Sequence, residues 1–80
     1  MSSSNETKYI NCYIEAFEVE ANKINEDLAY QTIPEWDSIG HMTLMSDLED
    51  GFDISIDTDD IIDFSSFKKG IQILKKYKIT

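Results

Sequence analysis

The chain has 80 residues, with sixteen acids against seven bases and a net charge of −9, a length that gives one domain with one modest core, too little for the layered sheet and loops of most enzymes. All the bases are lysines, and every charged residue from Glu35 to Asp63 is negative. Such a surface repels phosphate backbones and anionic lipid heads, which argues against nucleic-acid and membrane roles and favours basic protein partners.

Residues Met1 to Asn5 are polar and hold neither an apolar signal core nor a basic residue, and no apolar run approaches membrane-spanning length. A soluble, unsecreted protein is expected. Ser3 and Glu6 have the spacing of a reciprocal helix cap. Ile10, Tyr13, Ile14 and Phe17 then recur on one helical face, so the first helix is expected from about Asn5 to Glu18. Its tyrosines, Tyr9 and Tyr13, read as packing residues with wet hydroxyls. Cys12, the single cysteine, reads as a small buried apolar residue in a reducing compartment, most simply the cytoplasm.

From Val19 to Asp37 the periodicity weakens, and Asn22, Asn25, Asp27, Thr32 and Pro34 favour turns. So long a connection in a small domain needs its own anchors, for which Ile24, Leu28, Tyr30 and Ile33 are the candidates. A short helical turn is expected near Glu26 to Tyr30. Pro34 holds Ile33 extended.

The second helix is expected to start at Asp37 or Ser38, with Asp37 as N-cap. Ile39, Met42, Met45 and Leu48 repeat at threes, and Leu44, Leu48 and Phe52 at fours, so the apolar stripe is wide and one edge should stay exposed. Gly51 reads as its stop. Phe52 to Asp57 alternates like a strand but has no partner run, which makes it an extended connector whose isoleucines dip into the core. Thr58 or Asp59 should cap a very short third helix through Asp63 that carries Ile61, Ile62 and Phe64 inward. Ser65 or Ser66 should cap a last helix in which Phe67, Ile71 and Leu74 share a face, with Lys68, Lys69, Lys75 and Lys76 mostly in water. The expected fold is all-α, a small four-helix bundle of three principal helices and one short one with a long first loop, and residues 1–80 form a single domain.

Three chemistries bear on the residues around Ser38. As a catalytic nucleophile Ser38 would need a base, and His41, the only histidine, lies on the same helix without an orienting third group. The stretch Trp36-Asp37-Ser38-Ile39-Gly40 departs from a nucleophile elbow, with Trp36 in place of the first glycine and no sheet behind it. His41 therefore reads as a solvent-facing or partner-facing side chain. A calcium loop from Asp53 would need glycine and glutamate where Thr58 and Phe64 stand, and no cysteine and histidine spacing suits zinc. The acids read as a solvated or recognition face. What remains is an exposed serine at a helix N-terminus, where a phosphate ester is well placed. Helix physics alone leaves Ser38 open between a modified residue and an ordinary capping one.

Asp37-Ser38-Ile39, followed by Leu44, Leu48-Glu49-Asp50, Phe52, Ile54 and Ile56, an acidic short helix, and Ser66-Phe67 opening a last helix, resembles the acyl carrier proteins and related peptidyl carrier domains. The resemblance spans nearly the whole chain and is strongest from Trp36 to Leu74. Asp-Ser-aliphatic is short in itself, and the spacing to Leu48, Phe52 and Ser66 makes it specific. It implies a four-helix carrier in which a phosphopantetheinyl transferase, using coenzyme A and magnesium, places a 4'-phosphopantetheine arm on Ser38 beside Asp37. The arm's thiol holds an acyl or aminoacyl group as a thioester, and the protein is a monomeric shuttle, not an enzyme. Loading and transferring enzymes with basic patches would grip Glu49, Asp50 and Asp47, with apolar contacts to Ile39 and Met42. Gly40 and Thr43 stand where fatty-acid carriers have acids. With Trp36 and His41-Met42, they look more like freestanding carriers of specialised pathways. The other reading is an unmodified acidic adaptor that recruits a basic partner through the second helix.

Overall fold

A computed structural model describes residues 3–79, of Ser3 the backbone only. Among the described residues the chain is an all-α bundle of four helices: α1 (Ser3–Phe17), α2 (Ser38–Phe52), the short α3 (Thr58–Asp63) and α4 (Phe67–Lys76). None of the helices among the described residues is long and apolar enough to cross a membrane. Helix α1 starts two residues before the expected Asn5 and ends one before Glu18, which takes a left-handed conformation at φ 55°. The capping role read for the Ser3 side chain lies outside the described residues.

Helices α1 and α2 pack on each other around an aromatic core. Trp36 is fully buried at its centre, with the Tyr13 ring edge-on at 5.5 Å and Phe17 at 5.5 Å. The tyrosine hydroxyls are dry, contrary to the sequence reading. Tyr9 Oη donates to the Phe67 carbonyl at 2.7 Å, which leaves its lone pairs to accept from Tyr13 Oη at 2.8 Å. Two fully buried phenols thereby tie α1 to the start of α4, and burial pushes both well above the usual phenol range.

The long first loop is pinned as expected by buried Ile24 and Leu28, with Tyr30 and Ile33 half-buried. Its helical turn lies earlier than predicted, as a single 3-10 turn at Ala21–Lys23. The expected Glu26 to Tyr30 turn is a β-turn instead, because the Asn25 side chain accepts from Asp27 N at 2.9 Å and competes with helix. The loop then meets the last helix through one isolated antiparallel bridge, Ala29 to Ser66. Gln31 N donating to Trp36 O at 2.9 Å closes a turn that delivers Trp36 into the core.

Helix α2 does not stop at Gly51. It runs to Phe52, and Asp53 supplies the left-handed residue at φ 54°. Gly51 serves packing instead, since a β-carbon there would sit 3.3 Å from Cys12 Sγ, where α1 crosses. The connector after α2 is extended, with Ile56 buried and Ile54 half-buried. Helix α3 begins one residue before the predicted caps would allow. Asp57 occupies the N-cap without a side-chain bond, and its amide donates to Tyr77 Oη at 2.9 Å.

Of the side chains expected to point inward from α3, Phe64 is buried and Ile61 half-buried, but Ile62 is 74% exposed. Asp60 is buried in its place, held by Lys76 Nζ and Tyr77 Oη, each at 2.6 Å. The pair joins α3 to the last residue of α4 across sixteen positions of sequence, so Lys76, mostly in water as expected, also holds a buried carboxylate. In α4 the Ser66 side chain caps Lys69 N at 3.0 Å, as predicted. Phe67, Ile73 and Leu74 are buried and Ile71 only partly so, because Gly70 brings α4 against Phe64 and Tyr9, where a β-carbon would overlap both.

Candidate functional site

The site forms where the first loop enters α2. Asp37 is extended at φ −102°, and its carboxylate accepts from Gly40 N at 2.8 Å, the N-cap expected of it. Ser38 is thus the first helical residue. It is exposed, and its Oγ pairs with Tyr30 Oη at 3.0 Å. Gly40 has a steric cause: a β-carbon would collide with the carbonyl of Glu35, because the loop doubles back over the first turn of α2. The absence of an acid at this position follows from that approach as much as from any partner.

His41 faces inward, not into solvent. Trp36 Nε1 donates to its Nδ1 at 3.0 Å, and its Nε2 lies 2.8 Å from the Ile61 carbonyl. An indole N–H can only donate, so Nδ1 is the acceptor and Nε2 carries the proton. The imidazole stacks on Trp36 at 17° and 6.2 Å, and Tyr30 meets it edge-on at 5.6 Å. Both ring nitrogens are committed to groups other than Ser38, so no serine–histidine nucleophile pair is formed.

Beside Ser38 opens an apolar groove of about 330 Å³ between α2 and α3, bounded by Tyr30, Met42, Ile61, Ile62 and Phe64. Ile39 at 80%, Met42 at 56% and Ile62 at 74% are the exposed large apolar side chains among the described residues. The periodicity of α2 called for one exposed edge without choosing it, and the resemblance to carrier proteins named the first two. Ile62 escaped both, because a six-residue helix is too short for periodicity to choose a face.

The acids proposed for partner contact do not form one patch with these side chains. Glu49 is half-buried, and its Oε2 accepts from Ile56 N at 2.8 Å, holding the connector to α2. Asp47 and Asp50 line a separate depression of about 480 Å³ against α1, with Lys8, Glu15 and Cys12. Burial, then the like charges of Glu15 and Asp50, raise the Asp47 carboxyl above its ordinary range. Cys12 is buried as expected, with its thiol donating towards the Asp47 carbonyl at 3.6 Å. Burial foremost, with Asp47 and Glu15 beside it, pushes that thiol up to about 11.

Sequence reasoning missed the Tyr30 hydroxyl at Ser38 and the Trp36–His41–Ile61 chain of bonds. The Tyr30 and Ile61 contacts join residues from different elements, and a gap of five between Trp36 and His41 matches no local pattern. Comparison of the chain with protein-family models, curated proteins and solved structures returned no match.

Proposed function

We propose that the protein is an acyl or aminoacyl carrier whose Ser38 hydroxyl receives a 4'-phosphopantetheine arm from coenzyme A. The observation that carries the reading is an exposed serine Oγ at the first position of α2, opening directly onto an apolar groove of about 330 Å³. These residues fit the group: the hydroxyl is exposed, and a phosphate ester on it would lie at the N-terminal turn of a helix, where Asp37 already takes the Gly40 amide. In the attachment, Ser38 Oγ forms an ester bond to phosphorus as the pyrophosphate P–O bond of coenzyme A breaks. The nucleotide half leaves, and the hydroxyl proton passes to a base of the transferase. When bound, the arm supplies a thiol that holds the cargo.

The chain's own residues would act as positioner and docking surface. Asp37 fixes the first turn by capping Gly40, and Tyr30 Oη marks the direction of the Ser38 hydroxyl. Ile39, Met42 and Ile62 offer apolar contact around the attachment point, and Asp50 offers an exposed charge to enzymes with basic patches. The buried, unreactive Cys12 suits a protein working in the reducing cytoplasm. The carrier needs no catalytic group of its own, and a freestanding carrier of a specialised pathway fits Gly40 and Thr43 better than the housekeeping fatty-acid carrier.

The test is intact-mass measurement after incubation with coenzyme A, magnesium and a broad-specificity phosphopantetheinyl transferase. One addition on the wild type, absent from Ser38→Ala, is expected. No addition under conditions that fully convert a control carrier would leave the unmodified acidic adaptor as the better reading.

A further inference from the structure

The groove beside Ser38 is closed at its back by a histidine held from two sides. Behind the groove lies Trp36, fully buried, and between them stands the imidazole of His41. That ring joins three separate parts of the fold. It grows from α2, accepts from the loop's Trp36 Nε1, and donates to the Ile61 carbonyl of α3. Phe64 packs edge-on against it at 6.1 Å. Among the described residues every buried side-chain nitrogen and oxygen has a partner, so the interior offers no polar vacancy that a ligand would repair. For a chain to pass from the groove into the core, the ring must turn aside. The buried indole N–H would then lose its acceptor and α3 its link to α2, a loss that apolar contacts would have to outweigh.

We propose that His41 is a clasp that pins α3 to α2 and shuts the interior, so that a group tethered at Ser38 is held in the surface groove. The cargo class that fits is a compact acyl or aminoacyl group, lying against Met42, Ile61 and Ile62, and not a long alkyl chain folded into the core. The nature of the tether rests on the carrier reading; the closure does not. Because Ser38 itself lines the groove, anything attached there samples it at high local concentration. His41 acts here as a positioning residue that sets cargo size.

The experiment attaches the chain chemically, so that it is independent of any transferase. Ser38→Cys in a Cys12→Ser background is treated with butyl, octyl or dodecyl methanethiosulfonate. The thiolate attacks the sulfenyl sulfur, methanesulfinate leaves, and a mixed disulfide forms. Thermal midpoints and the indole N–H resonance of Trp36 are then recorded with His41 present and with His41→Ala. With His41 present, the dodecyl adduct should melt within about 2 °C of the butyl adduct, and the indole resonance should not move; in His41→Ala, the dodecyl adduct should gain about 4 °C or more over the butyl adduct.

A rising midpoint with a shifted indole resonance in the His41-bearing series would overturn the proposal by itself, and His41→Ser takes the place of His41→Ala in the comparison if the alanine variant does not fold. Series that stay flat in both proteins would also overturn it, because His41 would not be what closes the interior. Failure of enzymatic modification at Ser38 would count against the carrier reading and leave the clasp standing.

Discussion

Replacing Tyr9 by phenylalanine removes one oxygen from the driest part of the molecule, and the direction of its hydrogen bonds sets the cost. Tyr9 Oη gives a proton to the Phe67 carbonyl at 2.7 Å and takes one from Tyr13 Oη at 2.8 Å, with both rings fully buried. Tyr9→Phe therefore removes two bonds and strands the Tyr13 hydroxyl as a buried donor, for about 2–4 kcal/mol in all. Tyr13→Phe removes one bond and strands no donor, so about 1 kcal/mol is expected.

The double variant carries no stranded hydroxyl, and its cost should fall about 1–2 kcal/mol short of the sum of the singles. Urea unfolding followed by far-ultraviolet circular dichroism measures all four proteins, with a midpoint loss of about 1–2 M for Tyr9→Phe. Additivity within about 0.5 kcal/mol, or equal costs for the two singles, would refute the assignment of Tyr9 as the hub.

Gly40→Ala should destabilise by about 1–3 kcal/mol, because its β-carbon meets the Glu35 backbone carbonyl and the loop must shift. Gly51→Ala brings its β-carbon 3.3 Å from Cys12 Sγ, a few tenths of an ångström too close, which offsets a helix-propensity gain of about 1 kcal/mol, so thermal melts should place it near wild type and above Gly40→Ala. Asp50→Lys should slow docking to basic partners and flatten its salt dependence without changing the melt. Glu49→Lys should also cost about 1 kcal/mol, by freeing the Ile56 amide.

Acid titration of stability should show opposite signs at two carboxylates. Bonds from Lys76 and then Tyr77 depress Asp60, so its contribution is present above the ordinary carboxylate range and lost as pH falls through its lower folded value. Asp60→Asn should remove that part of the acid loss. Asp47 is raised by burial and by Glu15 and Asp50, so its charge is a penalty at neutral pH that protonation relieves, and Asp47→Asn should melt higher at pH 7 than wild type.

Much of the architecture was legible because helix boundaries and apolar faces are local. The Asp37 cap, the Ser66 cap, a wide α2 stripe with one exposed edge and the anchors Ile24 and Leu28 all follow from residues within a turn or two. What failed depended on contacts between distant elements. Gly51 looked like a stop because glycine favours left-handed ends, yet the crossing of α1 over α2 claimed it for close packing. His41 looked solvent-facing or partner-facing because its partners are a loop indole and a carbonyl of α3. Glu49 looked like a free surface charge, and its use by the connector is visible only once Ile56 folds back upon it.

The central claim is that Ser38 is an attachment point. Its most direct test is the mass of the Ser38-containing peptide from protein purified out of its own cells, taken before and after hydroxylamine treatment. The account predicts a phosphopantetheine arm on Ser38 and a cargo mass that hydroxylamine removes. Ser38 found unmodified in every molecule, in cells whose other carriers are loaded, would contradict it.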